Sequence, residues 1–222
     1  MNINLLKENQ LKEKKLSILV LLLLLSPVIG FAQFFEGTIT YSNSYKSKSP
    51  QLKDEQLNEI MGTTQEYFIK GGDYKSIMNG SFLKMQLYRS TENRSYMLTG
   101  NSDIVYWEDY SKNKDVAIKY EVQKSKEIIM GIPCDVLVVY TPKSKSYYYF
   151  NKKYAVNPEL FKQHIYGNWY YIISRTKALP LKTVYEDDQF VLTSTAIDIT
   201  PKKLNANVFE LSDKDKITPA TW

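Results

Sequence analysis

Apolar and polar residues alternate along much of this chain, and the alternation starts early: Ile39 and Tyr41 stand between Thr38 and Thr40. A period of two sets one face of a strand against an apolar surface and leaves the other wet. The segments 64–70, 73–79, 82–88, 94–99 and 103–107 follow as strand candidates, separated by Gly71-Gly72, Asn79-Gly80, Thr91 to Asn93 and Gly100-Asn101. Such turns supply the positive φ that tight hairpins need, and their regular spacing predicts a meander of sequential antiparallel neighbours. Leu83, Met85 and Leu87 alternate with Lys84 and Gln86. Before this meander, residues 52–61 mix apolar Leu52, Leu57, Ile60 and Met61 with polar side chains and end at Gly62, which predicts a short helix with glycine at its C-terminus.

Beyond the meander, Val116, Ile118, Tyr120 and Val122 oppose Lys119, Glu121 and Gln123. Gly131 and Pro133 break the chain ahead of the apolar run Val136 to Tyr140, which predicts a strand buried on both faces. Residues 147–150 form another strand candidate. Asn157 followed by Pro158 opens a predicted short helix over 157–165, with the cap and first-turn residues that helices favour. A last hairpin pairs 181–186 with 190–199 across Asp187-Asp188, and Val208, Phe209 and Leu211 form a small apolar clasp. The total is ten or eleven strands and two short helices. That excludes a helical bundle, and the absence of strand–helix alternation excludes a parallel sheet. The expected fold is mainly β: a curved antiparallel sheet forming an incomplete barrel, with a closed β-barrel as the alternative.

The N-terminus changes the picture of where the chain works. Lys7, Lys12, Lys14 and Lys15 precede an apolar run from Leu16 to Leu25, then Ser26-Pro27 and the small residues Gly30 and Ala32. This is the pattern of a cleaved signal peptide over 1–33, leaving a single β-rich domain over 34–222 with no transmembrane segment. The single cysteine, Cys134, lies far from the apolar run, so the pattern is not that of a lipoprotein, and one cysteine makes no internal disulfide. The whole chain carries 29 Lys plus Arg against 24 Asp plus Glu; residues 1–33 hold four and two of these, leaving 25 against 22. A net charge of +3 with both signs interspersed argues against a nucleic-acid partner.

Candidate chemistry is sparse. His164 is the only histidine, which excludes a multi-histidine metal site and leaves a serine–histidine arrangement with one possible ring. Its bland reading is a polar residue at the end of a short helix. Trp107-Glu108-Asp109 and Glu186-Asp187-Asp188 are acidic clusters, the second in an expected turn where aspartate serves the backbone. Eighteen tyrosines include Tyr147-Tyr148-Tyr149 and a later group, Tyr166, Trp169, Tyr170 and Tyr171; they read first as strand residues. No pattern asks for a catalytic group, metal or cofactor. Methionine suits adaptable apolar surfaces, and Met61, Met78, Leu83, Met85, Leu87 and Met97 form the expected lining of an apolar ligand site.

Several short motifs add a resemblance. Phe31-Ala32-Gln33, Glu36-Gly37-Thr38-Ile39-Thr40-Tyr41, Met130-Gly131-Ile132-Pro133-Cys134, Leu179-Pro180-Leu181-Lys182 and Asn207-Val208-Phe209-Glu210-Leu211 together resemble the DUF4412-type exported proteins of Bacteroidota. These are similar in architecture to periplasmic lipoprotein carriers of the LolA/LolB kind, which lay helices over an apolar cavity in an incomplete barrel. The resemblance implies a periplasmic or outer-membrane-associated, non-enzymatic protein that holds a lipid or acyl moiety. The alternative is an interaction or scaffold module with a filled core that contacts an envelope protein.

Overall fold

The computed structural model describes residues 34–100, 102–212 and 216–221; the leader expected over 1–33 lies outside the described residues. Among the described residues twelve strands form one sheet: β1 (Gly37–Ser47), β2 (Thr64–Lys70), β3 (Asp73–Met78), β4 (Leu83–Arg89), β5 (Arg94–Thr99), β6 (Ile104–Asp109), β7 (Lys119–Ile129), β8 (Ile132–Tyr140), β9 (Lys145–Ala155), β10 (Ala178–Glu186), β11 (Phe190–Pro201) and β12 (Lys216–Pro219). Their spatial order is β12-β6-β5-β4-β3-β2-β1-β11-β10-β9-β8-β7. The two end strands do not pair with each other, so the sheet is curved and open, and the closed-barrel alternative is excluded. Residues 34–222 make one compact unit.

The meander forms where the turn dipeptides place it, and β1 brings its two halves together by pairing with β2 on one side and β11 on the other. β1 shows the expected alternation: Ile39, Tyr41, Asn43 and Tyr45 are buried while Ser42, Ser44 and Lys46 are exposed. In β8, Val136 to Val139 are all buried, so that strand is covered on both faces. The β7–β8 connection is two residues long, with Met130 at φ +50° and Gly131 at φ +75°, the double positive-φ geometry that matches the twist of paired strands. One strand escaped the sequence pattern. The short β12 adds to β6 in parallel, pairing Ile217 with Val105.

Among the described residues two α-helices form, α1 (Asp54–Met61) and α2 (Trp169–Thr176). The first is the helix the sequence predicts. Asn58 fastens it to β1, its Oδ1 accepting from the Tyr45 amide at 2.9 Å and its Nδ2 donating to the Tyr45 carbonyl at 3.2 Å. The helix expected over 157–165 is corrected. Asn157 does cap a turn that begins with Pro158, its side chain accepting from the Glu159 amide, but only a single 3-10 turn, Pro158–Phe161, results. Further on, the amides of Ile165 and Tyr166 donate to the carbonyl of Tyr110 at the end of the meander, at 2.8 and 3.0 Å, and only another short 3-10 turn, Tyr166–Asn168, follows. The second helix is instead α2, where Trp169, Ile172, Ile173 and Thr176 share one face and the last three are buried.

The sheet is covered unevenly. On one face the 158–168 segment and α2 pack against Ile39, Ile69, Tyr74, Tyr88 and Leu181, and against Leu137 and Val139 further along. On the other, the clasp residues Leu204, Val208, Phe209 and Leu211 lie over Leu87, Tyr96 and Val105. Where α1 ends, Gly62 has φ +91° and its α-carbon environment admits no side chain, because a Cβ there would sit 2.5 Å from the Gly80 amide. Gly80 is equally crowded by Met61 and Gly62 backbone. Gly80→Ala is therefore expected to lower stability by about 1–3 kcal/mol, read as a reduced midpoint in chemical denaturation with an unchanged denaturant slope.

Candidate functional site

Strand pairing places Tyr67, Tyr74 and Tyr88 on the helix-covered face of β2, β3 and β4. Their rings stack in sequence, with centroids 5.5 Å apart for Tyr67–Tyr74 and 5.1 Å for Tyr74–Tyr88. Tyr110, just past β6, continues the row at 5.8 Å from Tyr88, and Tyr166 closes it at 4.4 Å from Tyr110 with the rings 9° from parallel. His164 sits inside this row. Its ring centroid lies 4.4 Å from that of Tyr88 and 4.7 Å from that of Tyr110, and its Nε2 is 2.8 Å from the Tyr74 hydroxyl.

Beside the row is a cavity of about 270 Å³. Its walls carry Tyr41, Tyr67, Tyr74, Tyr110 and Tyr166, with Trp169 from the start of α2 and Leu179-Pro180 from β10. A polar row crosses it along the sheet: the Gln65 amide donates to Ser76 Oγ at 2.8 Å, and the Gln86 amide donates to the Tyr110 hydroxyl at 2.7 Å. Among the described residues no charged side chain lines the cavity. Three polar atoms of its wall residues, the Tyr67 hydroxyl, the His164 Nδ1 and the Trp169 indole Nε1, are buried without a hydrogen-bond partner among the described residues. Unpaired groups of this kind each cost about 1–3 kcal/mol, a cost that a bound molecule with hydrogen-bonding groups would offset.

Ionisation leaves the cavity neutral. Desolvation pulls the His164 imidazole from 6.5 down to about 3, against the weaker opposing pull of the His164 and Tyr166 backbone carbonyls. Burial likewise pushes the Tyr41, Tyr67 and Tyr74 phenols well above their usual value. The tyrosines are thus protonated and the imidazole uncharged throughout the physiological range.

A second cavity, of about 550 Å³, adjoins the first and shares Tyr166 and Gly167 with it. This one is charged, with Glu108, Lys112, Lys114 and Asp115 in its walls. Asp115 has structural work: its carboxylate accepts from the Thr141 hydroxyl and from the Lys143 amide. Glu108 is held by no such hydrogen bond; burial raises its pKa, with Lys114 opposing. Among the described residues no cluster of three or more His, Cys, Asp or Glu side chains could hold a metal. Asp187 caps the β10–β11 turn, accepting from the Gln189 and Phe190 amides, which is the backbone role expected of it.

The six residues expected to line an apolar site are not brought together. Met85 and Leu87 face the C-terminal clasp on the opposite side of the sheet, in a filled cluster with Leu204 and Phe209. Leu83 lies at the start of the same strand, beyond a register shift. Met78 pairs with Gln65 and Met97 with Gln86, which sets them on the helix-covered face, and Met61 ends α1. None of the six lines either cavity. Strict alternation in β4 holds the reason: a face that is apolar in sequence belongs as readily to a packed second layer as to a ligand surface. His164 and the tyrosines were visible as residues, but their convergence depends on the 158–168 segment folding back over the β2–β4 meander, which brings His164 to Tyr74, 90 positions away.

No family model matches the chain, and no curated protein does. Among solved structures, two crystal forms of PNGF-II are similar, at 13% and 12% identity with TM-scores of 0.45 and 0.43. Each alignment covers 84% of this chain, which spans about a third of the PNGF-II chains, 32% and 31%.

The buried imidazole makes stability depend on pH with a definite sign. The folded pKa near 3 lies below the unfolded value near 6.5, so the unfolded chain takes up a proton that the native chain refuses. The contribution is complete above about pH 6.5 and is lost at up to about 1.4 kcal/mol per pH unit as pH falls towards 3. Urea denaturation between pH 7 and 4 is expected to show this loss, and His164→Gln to show a shallower slope by one proton.

Proposed function

We propose that the domain is a non-enzymatic binding protein whose ligand is an uncharged molecule with a flat or apolar body and a few hydrogen-bonding groups, held in the tyrosine-lined cavity. The carrying observation is a cavity walled by aromatic rings and amides, with no charged side chain among the described residues and with three buried polar atoms left unpaired. Burying an unpaired charge there would cost several kcal/mol, which disfavours a free carboxylate or amine in this cavity and favours a neutral lipid ester, ring compound or similar molecule. Tyr and Trp suit this task, because their faces pack against apolar surface while the hydroxyl and indole N–H fix orientation. The signal-like leader and the resemblance to DUF4412-type proteins support work in the cell envelope, in the periplasm or at the outer membrane. The acyl reading then shifts from the six Met and Leu positions to the tyrosine face.

Solvent extracts of the protein purified from its host without detergent are expected to yield, by mass spectrometry, a stoichiometric neutral compound missing from an unrelated control. Nile red, a neutral dye, is expected to bind and fluoresce, whereas an anionic naphthalene sulfonate is not. Thr183→Trp, which fills the cavity from its half-buried rim, is expected to abolish Nile red binding, and Gln86→Leu to weaken it about tenfold through one lost hydrogen bond to ligand. An empty extract together with unaltered dye binding in Thr183→Trp would sink the proposal.

A further inference from the structure

β7 ends the sheet, with β8 on one side and no strand on the other among the described residues. Natural edge strands are usually shortened, bulged or studded with lysine, because an open row of amides and carbonyls recruits another strand. The far half of β7 follows that rule: its pairing with β8 is interrupted between Gln123 and Glu127, around Lys124 and Lys126. The near half does not. From Lys119 to Gln123 the register with β8 is unbroken, and Tyr120 and Val122 are 46% and 47% exposed on one face, with Ile118, just before the strand and tied to β8 by its amide on the Tyr140 carbonyl, 69% exposed beside them. Lys119 and Glu121 lie on the other face, paired with each other at 2.8 Å. The opposite end of the sheet is a four-residue strand that terminates at Pro219, an edge of the protected kind.

We propose that this half of β7 is the contact for a second copy of the chain, added antiparallel across a two-fold axis at Tyr120. The choice of occupant follows from the order of the side chains. In antiparallel pairing, opposite residues share a face, so only registers that match odd with odd and even with even keep apolar against apolar. Centring on Tyr120 sets Ile118 against Val122 of the second copy twice, Tyr120 against itself, and Lys119 against Glu121 of the second copy twice. Moving the centre by one position brings Glu121 against Glu121, or Lys119 against Lys119, and directly opposed like charges destabilise a pair. The sequence 118–122 is therefore complementary to its own reverse in a single register. Tyr171 and Arg175 of α2 already flank Tyr120, with the guanidinium 4.6 Å from its ring, and they extend the contact on the helix-covered side. A five-residue edge lies at the small end of specific interfaces, below about 1,200 Å², so the dimer dissociates on dilution.

Light scattering coupled to size exclusion, on the protein purified from its host at high and low concentration, is expected to show a dimer that dissociates. Lys119→Glu is expected to leave a monomer, and the double change Lys119→Glu with Glu121→Lys to restore the dimer. Under mild oxidation Tyr120→Cys is expected to cross-link with itself, since facing Cβ atoms lie about 4.5–5.5 Å apart. Ile118→Cys is expected to cross-link only when mixed with Val122→Cys. The native Cys134 is buried and free, so the parent chain serves as the uncross-linked control. A monomer at every concentration, including one whose edge instead captures a foreign strand, overturns the proposal, as does a dimer that Lys119→Glu leaves intact or that Ile118→Cys alone cross-links.

Discussion

The stacked tyrosines of β2, β3 and β4, with His164 inserted among them, are the interaction on which the rest of the structure depends. Each ring pair is worth about 0.5–1.5 kcal/mol beyond its buried area, yet the larger consequence is geometric. The row fixes the relative height of neighbouring strands, and its extension through Tyr110 to Tyr166 ties the meander to the segment that covers it. The same Tyr110 contributes a ring to the stack and a backbone carbonyl to the amides of Ile165 and Tyr166. One residue thereby holds the cover on the sheet from both its ends. The Tyr88 hydroxyl donates to Asn93, and the Asn93 amide donates to the Gln163 carbonyl, a second polar tie along the same path.

This arrangement explains why the cavity is neutral while its neighbour is charged. A ring of buried phenols and one desolvated imidazole cannot tolerate a charge in their midst, and the hydroxyls of Tyr41, Tyr74, Tyr88 and Tyr110 are already oriented by Pro180, His164, Asn93 and Gln86. Where the row stops at Tyr166, solvent and charged side chains return, and Glu108, Lys112 and Lys114 appear at once. Gly167 and Asn168 at the junction both adopt left-handed backbone. The Asn168 side chain holds that turn in place, accepting from the Ala117 amide and donating to the Asp115 carbonyl. The boundary between the two cavities is consequently a fixed turn and not a loose loop.

Much of the fold was legible in the sequence, and the site was not. The meander strands emerged from alternation and turn residues because both are local signals: 64–70 and 94–99 match their strands in full, and the others differ at their ends by one or two residues. α2 was missed although Trp169, Ile172, Ile173 and Thr176 repeat at helical spacing, because the aromatic and β-branched side chains in that stretch suit strands. What decides for helix is left-handed backbone at Asn168 and Lys177, which isolates the eight residues between them. β12 was missed because a four-residue parallel strand has too little pattern to register and depends on β6 being an edge. Leu83, Met85 and Leu87 alternate as one apolar face, and Met85 and Leu87 do pack together on it, while Met78 and Met97 lie on the other face. The missing information was which layer would cover that face: Val208, Phe209 and Leu211 read as a clasp without a destination, and Leu204 joins them only in the structure.

A sheet of this length raises a question that its two edges answer differently. Twelve twisted strands would ordinarily curl until the ends meet, and here covering layers sit on both faces instead. With Ile173 and Phe161 filling one side and Phe209 with Leu204 filling the other, the sheet buries its apolar surface without closing. Closure is then no longer needed to satisfy side chains, but it would still be needed to satisfy the backbone of the end strands. At the β12 end that need is small, since the strand is four residues long and stops at a proline. At the β7 end it is large, and the exposed apolar row Ile118, Tyr120 and Val122 lies on the face that α2 leaves partly uncovered. Openness is thus the cost of layering both faces, and it is concentrated on the one strand whose side-chain order is compatible with its own reverse.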